Sequence, residues 1–116
     1  MVPRSHIIAV NPQTTIPELL QLSARTGVDR LPVLGPDGGA LGLVDVLDVL
    51  LDSNSAPELR HYTRRIVSAA ENESAYRIIR RLRAARLSLA AVVDERRHLA
   101  GIVTVEDLVR RLVQSS

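Results

Sequence analysis

The sequence predicts an α+β fold made from two copies of one unit, and three observations carry that prediction. GLVDVLDVL at residues 42–50 returns as GIVTVEDLV at 101–109. A shift of 59 residues aligns the halves without a gap, setting Ile7 on Ile66, Val33 on Val92, Gly42 on Gly101, Val44 on Val103, Val46 on Val105 and Asp48 on Asp107. The hydrophobic periods also agree, because Ile16, Leu19, Leu20 and Ser23 fall on Ala75, Ile78, Ile79 and Leu82, an i, i+3, i+4, i+7 helical stripe in both copies.

Each copy opens with that helix. In the first, Thr15 and Glu18 form a capping-box pattern, Pro17 stands in the first turn and Gly27 follows the last turn as a C-cap. Next comes a short apolar run, LPVL at 31–34 or LAAVV at 89–93, then turn chemistry (GPDGG or DERRH), then a second apolar run. Such a pattern reads as a two-stranded hairpin. The second run enters a further helix, about 46–52 and 105–113, and a short strand is expected near 7–10 and 66–69. The repeats are assigned to 1–52 and 63–116, with SNSAPELRHY at 53–62 as the linker. A hairpin and two helices bury too little surface alone, so the two copies are expected to pack sheet to sheet around one fused core, in a pseudo-twofold sandwich with helices outside.

Composition narrows the function classes. The chain of 116 residues is 46% hydrophobic and 24% charged, which is globular rather than disordered. It has no cysteine, which excludes disulfides and thiolate metal sites. No apolar run reaches the ~18 residues of a membrane span, and no signal-peptide pattern opens the chain, so a cytoplasmic location is expected. The net charge of +2 hides an asymmetry. Through residue 59 three arginines face seven acids, a net of −4; beyond it twelve arginines face six acids, a net of +6. His6, His61 and His98 are scattered without metal-ligand spacing, and no G-x-S-x-G or comparable nucleophile motif is present, so an enzyme is not expected.

The phrase Gly101-Ile102-Val103-Thr104-Val105-Glu106-Asp107 has the order glycine, two apolar residues, Ser or Thr, two variable residues and Asp. Taken with the order of elements, it resembles the nucleotide-binding signature of the cystathionine-β-synthase-type (CBS) domain pair, over nearly the whole chain. The fold so implied is a Bateman-type module of tandem CBS repeats. MVPR at the start, Arg30-Leu31-Pro32-Val33, and LAAVVDE followed by LAGIVTVEDLV are similar to the CBS pair of the CorC and cyclin-M class of magnesium and cobalt transport proteins. In that class the pair is a cytoplasmic appendage of a membrane domain, so the resemblance implies an attached transmembrane domain absent from this chain, which is then a fragment or a stand-alone relative.

For function, the resemblance implies a regulatory module that binds an adenine nucleotide, AMP or ATP, with or without Mg2+. Thr104 stands at a strand-to-helix junction, where free N–H groups favour a phosphate, and Asp107 one turn later is the ribose acceptor in the family. The remaining positions that match are Arg30 and Pro32, with Val2, Val28 and Ile102 as adenine contacts and Glu106 near ribose or phosphate. The bland alternative is that Thr104 and Asp107 are only a capping box, that Arg30 is a surface arginine paired with a neighbour such as Asp29 or Glu18, and that the apolar residues are core. In the first copy Asp45 replaces the threonine; it caps a helix equally well but repels phosphate, which leaves Asp45 and Asp48 as a weaker second site. One working nucleotide site is therefore expected.

Two other readings compete. A purely structural dimerisation module needs no ligand, and the apolar content of 46–51 and 105–113 leads us to expect a homodimer. Nucleic-acid or acidic-partner binding through Arg77, Arg80, Arg81, Arg83 and Arg86 is the other. With only Tyr62 and Tyr76 as aromatics the chain lacks a stacking platform, so a solvated helix face is the simpler reading and no nucleic acid is expected.

Overall fold

A computed structural model describes the backbone of residues 2–3 and all of residues 7–52 and 58–114. The chain folds as two compact units, Ile8–Arg65 and Met1–Ile7 with Ile66–Ser116, called here the first and second unit.

In the first unit, helix α1 (Ile16–Thr26) leads to strands β2 (Arg30–Leu34) and β3 (Ala40–Asp45), helix α2 (Val46–Leu51) and strand β4 (Thr63–Arg64). The expected caps are all present: Thr15 and Glu18 bond reciprocally, Pro17 sits in the first turn, and Gly27 takes the left-handed conformation with its N–H on the Ser23 carbonyl. The three strands form one sheet in the order β2-β3-β4, antiparallel throughout. The short strand expected at 7–10 is reduced to a parallel bridge between Val10 and Val33. Leu19, Leu31, Val33, Val44 and Val46 make the core.

The second unit contains β1 (Val2–Pro3), β5 (Val67–Ala70), α3 (Ala75–Ala85), β6 (Leu89–Val93), β7 (Leu99–Thr104) and α4 (Val105–Gln114). Its sheet has the order β1-β7-β6-β5, with β5 parallel to β6 and the other pairs antiparallel. Ile78, Leu82 and Leu108 from the helices meet Ala90, Val92 and Val103 from the strands. The opposite side of α3 carries exposed Tyr76 and the arginines, of which Arg81 binds Glu73 at 2.9 Å and Arg80 lies 5.9 Å from the Tyr76 ring centroid.

Pairing inside the two hairpins repeats residue for residue. Arg30 faces Asp45 as Leu89 faces Thr104, Val33 faces Gly42 as Val92 faces Gly101, and both registers slip at the same step, Val33/Leu34 and Val92/Val93. Even the bridge from Val10 to Val33 has its counterpart in the pairing of Ala69 with Val92.

The spatial units differ from the sequence repeats at their edges. β1, which leads the first copy, pairs with β7 of the second unit; β4, which leads the second copy, pairs with β3 of the first. The stretch assigned as linker also divides. Residues 53–57 lie outside the described residues, whereas Leu59 and Tyr62 are buried in the first core and a 3-10 turn spans Leu59–His61. Tyr62 anchors this turn by donating to Asp52 Oδ2 at 2.7 Å.

Candidate functional site

In the second unit β7 ends on Thr104 and α4 starts on the next residue, because alternation gives way to the apolar spacing of Val105, Leu108 and Val109. Asp107 N–H donates to Thr104 Oγ1 at 3.0 Å, and Thr104 N–H donates back to Asp107 Oδ2 at 3.1 Å. This is a reciprocal capping box that ties the two candidate ligand residues to each other. The Thr104 N–H lowers the Asp107 pKa below the usual aspartate range, the Thr104 side chain and Arg110 add to it, and partial burial opposes them. Asp107 is therefore an ionised acceptor at neutral pH. Its other oxygen, Oδ1, lies 3.4 Å from Arg110 Nη1.

Glu106 is exposed in the first turn of α4. Ile102 is half-buried on β7, in register with Ala91 on one side and with the backbone of Val2 on the other. The side chain of Val2 lies outside the described residues. Ile102 and Thr104 on β7 and Glu106 and Asp107 in the first turn of α4 thus stand around one strand-to-helix junction.

The first unit holds the remaining candidates. Pro32 is buried, with its carbonyl accepting from Val10 N–H at 3.0 Å. Val28 is half-buried beside the first core. Register sets Arg30 opposite Asp45, and the side chains lie 3.7 Å apart, Nε to Oδ2; Asp45 is the partner that strand pairing supplies to an arginine for which sequence suggested Asp29 or Glu18. Asp45 caps α2 by accepting from Leu47 N–H at 3.0 Å. Asp48, the counterpart of Asp107, does not repeat the reciprocal box: its Oδ1 accepts from Arg64 Nη2. Arg64 was not singled out by sequence, because the 59-residue shift does not set it on a site residue; its relevance appears only when β4 is laid along β3. Among the described residues no group of three or more His, Asp or Glu side chains is placed to hold a metal ion.

Two units, each with a hairpin, a leading strand and two helices, and each running its hairpin directly into a capped helix, define a tandem CBS module. The chain belongs to the CBS domain family, whose model matches residues 1–53 and again 59–114. More particularly, it is similar to the magnesium and cobalt efflux protein CorC of Escherichia coli (strain K12), at 28% identity over 117 residues and 97% of this chain. It is also similar to Hemolysin C of Rickettsia prowazekii (strain Madrid E), at 32% identity over 119 residues and 97% of this chain. It spans 40% of the first and 39% of the second. Among solved structures, the CBS domain of the bacterial CNNM/CorC family Mg2+ transporter superposes with a TM-score of 0.85 at 27% identity, covering 97% of this chain and 72% of that one. The same domain in complex with ATP superposes with a TM-score of 0.83 at 27% identity, covering 97% and 83%.

Proposed function

We propose that this chain is a regulatory adenine-nucleotide-binding module, the cytoplasmic sensor part of a CorC-like divalent-cation transport or efflux protein. The observation that carries the reading is the Thr104–Asp107 junction at the start of α4, together with the ATP complex of a similar CBS domain. A ten-residue helix offers phosphate its positive end, although Val105 N–H already donates to the Ser88 carbonyl and Asp107 N–H to Thr104 Oγ1, and the Thr104 hydroxyl keeps its own proton to donate at the same place. The ionised Asp107 carboxylate supplies acceptors for the two hydroxyls of a ribose, for which it exchanges its bond to the Thr104 N–H. The capping box then holds the empty site in shape, and one pair of residues serves both purposes.

Regulation follows from linkage. A nucleotide shifts the arrangement of the module only by its difference in affinity for two states, and an attached membrane domain reads that shift. A homodimer is part of the reading. Helix α2 leaves Leu47, Leu50 and Leu51 exposed at 55%, 65% and 75%, an apolar face of the kind that self-association covers. The same face favours the second reading, a dimerisation module without ligand.

Calorimetric titration with AMP, ADP and ATP, with and without Mg2+, separates the two. The sensor reading expects saturable binding near one nucleotide per chain, lost in an Asp107→Ala variant whose cooperative unfolding is retained. A folded protein that binds none of the three leaves Thr104 and Asp107 as a cap alone, and the dimerisation reading stands.

A further inference from the structure

We infer that Arg64 is a specificity-determining residue that, together with Asp45, closes the first-copy strand-to-helix junction to nucleotide, an inference that rests on the nucleotide reading of the second copy. Strand register carries it. On β7 the residue Ile102 pairs with Val2 of β1; on β3 its counterpart Leu43 pairs with Arg64 of β4. Arg64 therefore stands in the first sheet where Val2 stands in the second, although the repeat shift of 59 residues does not relate them.

The consequence is chemical. Arg64 Nη2 donates to Asp48 Oδ1, so one oxygen of the carboxylate that corresponds to Asp107 is occupied by a guanidinium from a neighbouring strand. Arg30 Nε lies 3.7 Å from Asp45 Oδ2, at the position that corresponds to Thr104. Each carboxylate of the first-copy junction thus has an arginine of the same unit as its partner; Asp107 too lies 3.4 Å from an arginine, Arg110, but that one is a turn along its own helix, and the other Asp107 oxygen stays on the Thr104 N–H. A nucleotide entering at the first-copy junction has to strip Arg64 from Asp48 to reach a ribose acceptor, and then meets the Asp45 carboxylate with its phosphate. The Arg64 side chain is 60% exposed, so the pair is not strong; exclusion comes from where the arginine stands and from the acceptor it occupies.

Two obstacles, Asp45 and Arg64, make a sharper prediction than one. Nucleotide stoichiometry is measured by titration with ATP for the parent chain, Asp45→Thr, Arg64→Val, and the double variant. The expected result is that either single variant keeps the parent value and the double variant gains about one further nucleotide per chain. Arg64→Ser replaces Arg64→Val if the valine variant does not unfold cooperatively. A double variant without the added site overturns the inference, as does an Asp45→Thr variant that gains it alone, which makes Asp45 the whole barrier. Loss of parent binding in Arg64→Val also overturns it, since the arginine is then a ligand contact. Should the parent bind no nucleotide, the sensor reading fails, while a gain confined to the double variant still supports the closure by Arg64.

Discussion

Arg86 and Arg97 hold backbone angles that glycine holds in the other copy. Their φ values are 57° and 65°, against 75° at Gly27 and 85° at Gly38, the residues 59 positions earlier. The helix end and the hairpin turn demand a left-handed residue in both copies, and the second copy meets the demand with a branched-off Cβ that crowds its own carbonyl. Arg97→Gly is expected to raise stability by about 1 kcal/mol, after the entropy glycine loses on folding, as read by denaturant unfolding. Asp107 yields a prediction about pH. Its pKa is lowered in the folded chain, chiefly by the Thr104 N–H, so its contribution is present above the unfolded aspartate pKa and is lost as pH falls through the folded value. The stability difference between the parent and Asp107→Asn should therefore be full at neutral pH and shrink on acidification below the ordinary aspartate range; a difference that persists in acid excludes this account. Both capping residues were legible in the sequence because the box is local, four residues from end to end. Its other possible occupant, a ribose, was legible only through the family resemblance.

At the level of elements, Gly42 shows why the first copy of the repeated phrase begins with glycine. A Cβ built there meets the Arg64 carbonyl oxygen at 2.5 Å and Thr63 Cγ2 at 2.6 Å, because β4 pairs alongside β3 at the next residue, Leu43. Backbone cannot retreat from such a contact without breaking the ladder. Gly42→Ala is expected to destabilise by about 1 to 3 kcal/mol, measured by chemical denaturation, and a neutral result would mean that β4 is displaced at little cost. The helices were readable because caps, stripes and terminators lie within a few residues of one another. The two-residue strands β1 and β4 were not, since neither is long enough to show a period of two, and their partners lie far away in sequence. Leu59 and Tyr62 were read as linker for a related reason: a pair of apolar residues among polar ones carries no periodicity, and only the docking of the 3-10 turn buries them.

For the whole molecule, the unmatched feature is the apolar face of α2. The helix is only six residues long, and Val46 is its one buried side chain, so Leu47, Leu50 and Leu51 serve no core of the described chain. Covering such a face by a second copy makes association depend on it. Leu50→Glu is expected to convert a dimer to a monomer in sedimentation at micromolar concentration while leaving the helical signal unchanged. A parent chain that sediments as a monomer removes the homodimer from the reading.

Sequence by itself determined the fold class, the twofold repetition with its 59-residue offset, both hairpins, the four helices with the caps of α1, and the Thr104–Asp107 pair. These are properties of local spacing, and local spacing survives in a linear string. Tertiary structure alone decided which strand lies beside which. It exchanged the leading strands of the two copies, put Arg64 opposite Leu43 and gave its guanidinium to Asp48, and set Arg30 against Asp45. Such neighbours are chosen by pairing between distant segments, where one residue of register decides which side chains meet, and a single sequence carries no local trace of that choice.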